Sequence, residues 1–248
     1  MAREKKGARH SWLEAMRRDW DSRARENPRL YITWPGVPDE EEAFLASGRE
    51  DYSRYVRPFL EKMNFDPRGK TALEIGCGIG RLARCLAGEF REVIGVDVSP
   101  EMIARAKATA VPRTRFLAVS GGGLEGVETA SVDFVLSFAV FQHVPDKDAI
   151  LRYFEETARV LRAGGIFRLH MKGLWTLPLG RLLVEAGFSE TRTRFKQIPF
   201  VRVRFLDTWQ GRSIPPPEAR AVCKALGLEV ADVEAEWTKM MWVGGTKP

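Results

Sequence analysis

The sequence predicts an α/β fold, a parallel sheet covered by helices on both faces. Three observations carry that prediction. From residue 70 onward, short apolar runs alternate with helix-period segments, the texture of strands joined by helical crossovers. One run, "TALEI", leads into a turn that holds Gly76, Gly78 and Gly80 within five positions and opens a helix. Further on, Ser99-Pro100-Glu101 places a capping hydroxyl, a proline and an acid where a helix starts.

The elements follow in order. Trp12, Met16, Trp20 and Ala24 recur every fourth residue, with Leu13 beside them, so the chain begins with a helix. "ENPRLYITWPGVPDE" carries three prolines and a glycine and reads as a loop, with Tyr31 and Trp34 as candidates for a lid. A second helix presents Tyr52, Tyr55, Phe59, Leu60 and Met63 on one face. Strands are predicted at "TALEI", "EVIGV", "TRFLAV", "VDFVLSF" and "GIFRLHM", and helices at 80–89, 100–109 and 147–161. "RAGG" at 162–165 is expected to end a helix with glycine. Residues 172–216 interrupt the rhythm. There Arg192, Arg194, Lys196, Arg202 and Arg204 alternate with Thr193, Phe195, Val201, Val203 and Phe205 about Ile198-Pro199, a hairpin with one basic and one apolar face. "IPPPEARAVCKALGLEV" restores a helix and a strand, and "KMMWVGGTKP" supplies the final strand.

Composition narrows the function classes. The chain of 248 residues, 44% hydrophobic, suits one large domain or a domain with an appendage. A net charge of +6 favours acidic partners only weakly. Cys77, Cys85 and Cys223 form no CxxC pair, and the histidines are His10, His143 and His170. No metal-ligand spacing or disulfide framework results, so no metal and a reducing, cytoplasmic location are expected. Cys77 reads as a small residue that fits its turn, and Cys85 and Cys223 as core. The basic N-terminus lacks the apolar run of a signal peptide, and no stretch reaches the ~20 apolar residues of a membrane helix. No internal repeat or RNA-binding module is visible, and the oligomeric state cannot be read.

A bare backbone after a strand lets a ligand approach closely, and the helix that follows presents unpaired N–H groups to it. "VIGVDVS" then sets Asp97 at the end of the second strand, where a carboxylate can accept from both hydroxyls of a ribose. Two ligands compete, a dinucleotide or a nucleoside without a pyrophosphate. A dinucleotide turn reads G-x-G-x-x-G. Here Glu74, Gly76, Gly78 and Gly80 read E-x-G-x-G-x-G, with the third glycine one residue early and a carboxylate at the strand's end. The carboxylate suits a nucleoside bearing ammonium and sulfonium charge.

From about Thr71 to Met171 the chain resembles a class I S-adenosylmethionine-dependent methyltransferase. After the glycine turn, "GVDVSPEMIARAKA", "SVDFVLSFAVFQHVPDKDA" and "ARVLRAGGIFRLHM" carry the likeness in the expected order. "DSRARENPRLYITW" and "TWQGRSIPPPEARAVCKALGLEV" resemble flanks of bacterial members. The resemblance implies a Rossmann-like, seven-stranded, mostly parallel sheet whose last strand is antiparallel. It also implies an N-terminal helical extension or lid at 1–69, then a methyltransferase domain at 70–248 with a specificity insertion at about 172–216, after the fifth strand. Gly76, Cys77, Gly78 and Gly80 would wrap the amino-acid end of S-adenosylmethionine, with Glu74 near its ammonium. Asp97 would hold the ribose, and Val98 and Met102 would cover the adenine. Where the family commonly has an acid after the third strand, this chain has Ser120, so its hydroxyl or the backbone of Gly121 or Gly122 would meet the adenine amino group.

The implied activity is methyl transfer to a small molecule at an oxygen, nitrogen, carbon or sulfur atom. Alignment of nucleophile, methyl and sulfur supplies up to ~7–11 kcal/mol, and a base is needed only for a protonated acceptor. His143, after the fourth strand, and His170, ending the fifth, are the candidate catalytic bases. Against this stand a loop-ordering role for His143 and a core role for His170. Trp175, Phe195, Phe200 and Trp209 in the insertion suit an aromatic acceptor, and the hairpin's basic face an acidic one. The competing functions are methyl transfer to RNA or protein, a non-catalytic S-adenosylmethionine-binding regulator, and a dinucleotide oxidoreductase.

Overall fold

The computed structural model describes residues 2–33, 35–173, 212–235 and 240–248. The predicted hairpin, Trp34 and the insertion's aromatic residues lie outside these.

The sheet has seven strands: β1 (Thr71–Ile75), β2 (Glu92–Asp97), β3 (Thr114–Ala118), β4 (Val132–Ser137), β5 (Leu161–Lys172), β6 (Glu229–Glu234) and β7 (Met240–Thr246). Their spatial order is β3-β2-β1-β4-β5-β7-β6. β1 to β5 pair in parallel, while β7 runs antiparallel to both β5 and β6. This is the mostly parallel, Rossmann-like arrangement that the alternation and the resemblance anticipate.

Every residue of β1 is buried, as a strand covered on both faces requires. Its side chains divide between two cores. Leu73 and Ile75 join α7 (Lys147–Val160) and α8 (Pro216–Ala225) through Tyr153, Phe154 and Cys223. Ala72 points to the opposite core, with Leu82 and Leu86 of α5 (Arg81–Ala87) and Phe59 of α4 (Arg57–Lys62). The strand's period of two puts Glu74 on that second face. Ser99 caps α6 (Pro100–Ala108) by accepting from Met102 N at 3.1 Å. Cys77 and Cys223 are buried and Cys85 half-buried.

Before the sheet lie α1 (Ala2–Glu26), α2 (Pro28–Ile32) and α3 (Glu41–Asp51). Three local details differ from the sequence reading. The segment read as a loop contains α2, because Asn27 accepts from Leu30 N at 3.2 Å and Pro28 needs no N–H partner there. The second predicted helix divides into α3, a π turn at Tyr52–Val56 and α4. Pro58 has no N–H for the preceding turn, and the Arg57 N–H instead reaches back to Tyr52 O. "RAGG" ends no helix: α7 stops at Val160 and these residues belong to β5. Gly164 N donates to Lys247 O at 2.7 Å and Lys247 N to Gly165 O at 2.9 Å, which draws the segment into the sheet.

No described helix is long and apolar enough to cross a membrane. No group of three or more His, Cys, Asp or Glu among the described residues is arranged to hold a metal ion.

Candidate functional site

The C-terminal ends of β1, β2, β4 and β5 open into a cavity of about 1130 Å³, roofed by residues of α1, α2 and the segment after α2. Such crevices are where open α/β sheets bind ligands. The volume exceeds the ~300–1,000 Å³ of an ordinary small-molecule pocket.

The glycine turn forms the floor. Gly76 N and Cys77 N both donate to Val96 O, at 2.8 and 3.0 Å, which ties the turn to β2. Gly76 has φ +73°, and a Cβ there would lie 2.2 Å from Val140 Cγ2. Gly78 has φ +53°, and its Cβ would come within 3.2 Å of Ile32 of α2. Both positions therefore require glycine, for backbone conformation and for space. Gly76, Cys77 and Gly78 line the cavity. Gly80 sits behind it, against Phe116.

Two carboxylates face this floor, Glu74 buried and Asp97 half-buried. Asp97 accepts from Gly78 N through Oδ2 and from Ser99 N through Oδ1, both at 2.9 Å. Burial pushes its pKa up to about 6, against the lowering effect of those backbone donors. Glu74 is 4% exposed, and its Oε2 has no hydrogen-bond partner among the described residues. Burial raises its pKa to about 8, with Arg81 pulling it down and Asp97 pushing it up. A buried carboxyl with one oxygen unpaired is costly to ionise, and a cation entering the cavity would supply the missing contact.

Val98 and Met102 line the same cavity, as expected of an adenine cover, and so do Met16 and Trp20 of α1. α1 is fastened beside them: Asp21 Oδ1 accepts from Ser99 Oγ at 2.5 Å and from Glu101 N at 3.2 Å. Ser120, Gly121 and Gly122 are not among the residues lining the cavity. The Ser120 hydroxyl donates to Glu125 Oε1 at 2.5 Å, and Gly121 lies beneath Leu13 and Met16. Apolar α1 side chains thus cover Gly121, while Ser120, where the resemblance would have an acid, is exposed.

The two histidines separate. His143, in a 3₁₀ turn at Phe141–His143, lines the cavity. Its Nε2 lies 3.1 Å from Gln142 Nε2, and its ring meets Trp20 edge-on at 5.4 Å. His170 stays behind the wall, packed on Trp242 at 4.5 Å and Phe138 at 5.2 Å. Its Nδ1 accepts from Ala139 N at 3.2 Å. Ala139 has φ +58°, a strained setting for a residue with a Cβ, so His170 braces the bend between Phe138 and Val140. Burial and the nearby Arg168 charge lower its pKa to about 4, so it is neutral near pH 7. Tyr31, the predicted lid residue, lines the cavity.

Arg81 also lines the cavity, although the glycine pattern does not single it out. It is 7% exposed, and its Nη1 donates to Asp51 Oδ2 at 2.6 Å and to Ser47 Oγ at 3.3 Å. Gly48 admits this contact, since a Cβ there would lie 3.0 Å from Arg81 Cγ.

A glycine turn with acids at the ends of β1 and β2, on a seven-stranded sheet of this order, is the arrangement that the resemblance implies. Residues 73–169 match the family described as "Methyltransferase domain", and this segment is a class I S-adenosylmethionine-dependent methyltransferase domain. The chain is 35% identical over 181 residues to a 2-methyl-6-phytyl-1,4-hydroquinone methyltransferase of Synechocystis, covering 69% of this chain and 51% of that one. It is 31% identical over 135 residues to a ubiquinone biosynthesis O-methyltransferase of Xanthomonas oryzae, covering 53% and 54%. The chain thus spans about half the length of these curated relatives. Among solved structures, magnesium protoporphyrin IX methyltransferase from Synechocystis, with bound SAH, superposes with a TM-score of 0.62 at 17% identity, covering 95% and 99%. That likeness concerns the fold.

Proposed function

We propose that this protein transfers a methyl group from S-adenosylmethionine to a small, largely apolar acceptor. The observation that carries the reading is Glu74, a buried carboxyl whose Oε2 has no hydrogen-bond partner among the described residues, at the cavity floor beside a glycine turn. A ligand bearing an ammonium group would supply what Glu74 lacks, and Asp97 would face the ribose. Gly76, Cys77 and Gly78 leave room for the amino-acid end. Val98, Met102, Met16 and Trp20 offer the apolar surface that an adenine ring requires. When bound, S-adenosylmethionine supplies an electrophilic methyl on sulfur, and its displacement leaves a neutral thioether.

The rest of the cavity serves the acceptor. Leu30, Pro35, Val37 and Phe138 give it an apolar lining, which suits an aromatic ring or a hydrocarbon chain better than a polyanion. The names of the hydroquinone and ubiquinone-biosynthesis relatives support the same class. Of the two histidines, only His143 faces the cavity. In this reading it would accept a proton from an acceptor that arrives protonated. His170 acts through Ala139.

The test is calorimetric titration with S-adenosylhomocysteine, followed by methyl transfer to phenols, hydroquinones, amines and thiols from labelled S-adenosylmethionine. Micromolar binding with turnover on an aromatic acceptor is expected. Tight binding with no transfer to any acceptor would make the protein a non-catalytic binder, and NAD binding instead would overturn the ligand class. Full turnover in His143→Ala would remove that residue as a base.

A further inference from the structure

The charged side chains among the described residues that line the cavity are Glu74, Arg81, Asp97 and Lys172. The first three surround the glycine turn, at the ends of β1 and β2 and the start of α5. Lys172 stands apart, at the C-terminal end of β5. β4 separates β5 from β1 in the sheet, which puts the ends of β1 and β5 about 10 Å apart. Alternation along β5 sets Lys172 on the face of Arg168 and His170, and its partner across on β7 is Met240, also a cavity residue. Ile214, fully buried, donates its N–H to Lys172 O at 3.0 Å and so brings Ser213 to the cavity beside Lys172. Arg212 N donates to Val144 O, and Arg212 Nε to Pro145 O, both at 3.1 Å. One short segment thus ties the end of β5 to the residues that follow His143. A cation, a hydroxyl and an imidazole border the acceptor space together, with Phe138 and Met240 as apolar neighbours.

We infer that Lys172 and Ser213 receive a carboxylate on the acceptor, so that the substrate is an apolar body carrying one acid group. The inference rests on the cofactor reading above, which assigns the β1 and β2 ends to S-adenosylmethionine and leaves the β4 and β5 ends to the acceptor. An ammonium is a point charge with rotatable donors, and a serine hydroxyl can donate to the second carboxylate oxygen. Within an apolar lining such a charge-assisted contact meets less competition from water. A polyanion would set its other charges against apolar surface, at a desolvation cost. A cationic acceptor would meet Lys172 as a like charge.

The experiment saturates the full chain with S-adenosylhomocysteine and titrates it calorimetrically with 2-naphthoate and with 2-naphthalenemethanol, which keeps the ring and lacks the charge. A charge-assisted contact implies that the wild type prefers the naphthoate by about 10- to 100-fold, and added salt should reduce that preference. Lys172→Met should lose it while binding the alcohol within about threefold of wild type. Ser213→Ala should lower it by about threefold. Lys172→Arg, which keeps the charge, should retain part of it and serves if the methionine variant does not fold. A wild type that binds S-adenosylhomocysteine but neither naphthalene compound, or both equally, would overturn the inference and leave the cofactor reading standing. A preference that survives intact in Lys172→Met would do the same. A wild type that does not bind S-adenosylhomocysteine would overturn both.

Discussion

Glu74→Gln should make this protein more stable, and increasingly so as pH rises. The native pKa of Glu74 is pushed up to about 8 from 4.5, chiefly by burial. The native state therefore holds this proton where the unfolded chain has released it. With more protons bound to the native state than to the unfolded one, stability falls as pH rises from about 4.5 to about 8 and then levels off. At ~1.4 kcal/mol per pH unit, the whole window corresponds to roughly 5 kcal/mol. Near pH 5.5 only about 1.4 kcal/mol of it has been lost. Glutamine mimics the protonated form and has no such dependence. The raised pKa of Asp97 is common to both proteins and cancels in the difference. Urea unfolding of wild type and Glu74→Gln near pH 5.5 and pH 8.5 should thus show the variant's advantage growing by about 3 kcal/mol. An advantage that does not change with pH would refute the placement of Glu74 as a buried acid with an unpaired oxygen. Saturating S-adenosylhomocysteine should narrow the gap at high pH, because an ammonium contact favours the ionised form.

Other outcomes follow from the same geometry. Asp97→Ala removes the acceptor of Gly78 N and Ser99 N and should weaken S-adenosylhomocysteine binding by at least about 30-fold, with circular dichroism unchanged; wild-type affinity would misplace the pocket. Ser120→Ala should alter that affinity less than about twofold, since its hydroxyl is engaged with Glu125; calorimetry showing a tenfold loss would bring the loop after β3 into the site. His170→Leu orphans Ala139 N and should cost about 1–3 kcal/mol near pH 7 in a urea titration. Because burial lowers the His170 pKa to about 4 from 6.5, its contribution is complete above pH 6.5 and is lost as pH falls toward 4. The variant should lack that acid-side decline, and an unchanged decline would remove His170 as its source.

What could be read from the sequence divides along a physical line. The alternation of strands and helices, the glycine turn, Asp97 at the end of β2 and the Ser99 cap rest on local chemistry: side-chain period, backbone freedom and a hydroxyl next to a helix start. Neighbouring residues determine all of these, so the chain displays them directly. The misread details depend on distant partners. "RAGG" has the composition of a helix end, and only pairing with Lys247 places it in β5. His170 at a strand's end looks available, and only Ala139, 31 residues earlier, occupies its Nδ1. Ser120 stands where an acid is expected, yet α1 covers that loop and Glu125 takes its hydroxyl. Arg81 stood in plain view after Gly80. What holds it at the cavity is Asp51, on a helix that no motif includes. The N-terminal helices therefore help to build the cavity: Met16 and Trp20 supply its wall, Ile32 closes over Gly78, and Asp51 holds Arg81. A fragment reduced to the matched segment 73–169 would keep the glycine turn and both carboxylates but lose the residues that orient and enclose the ligand.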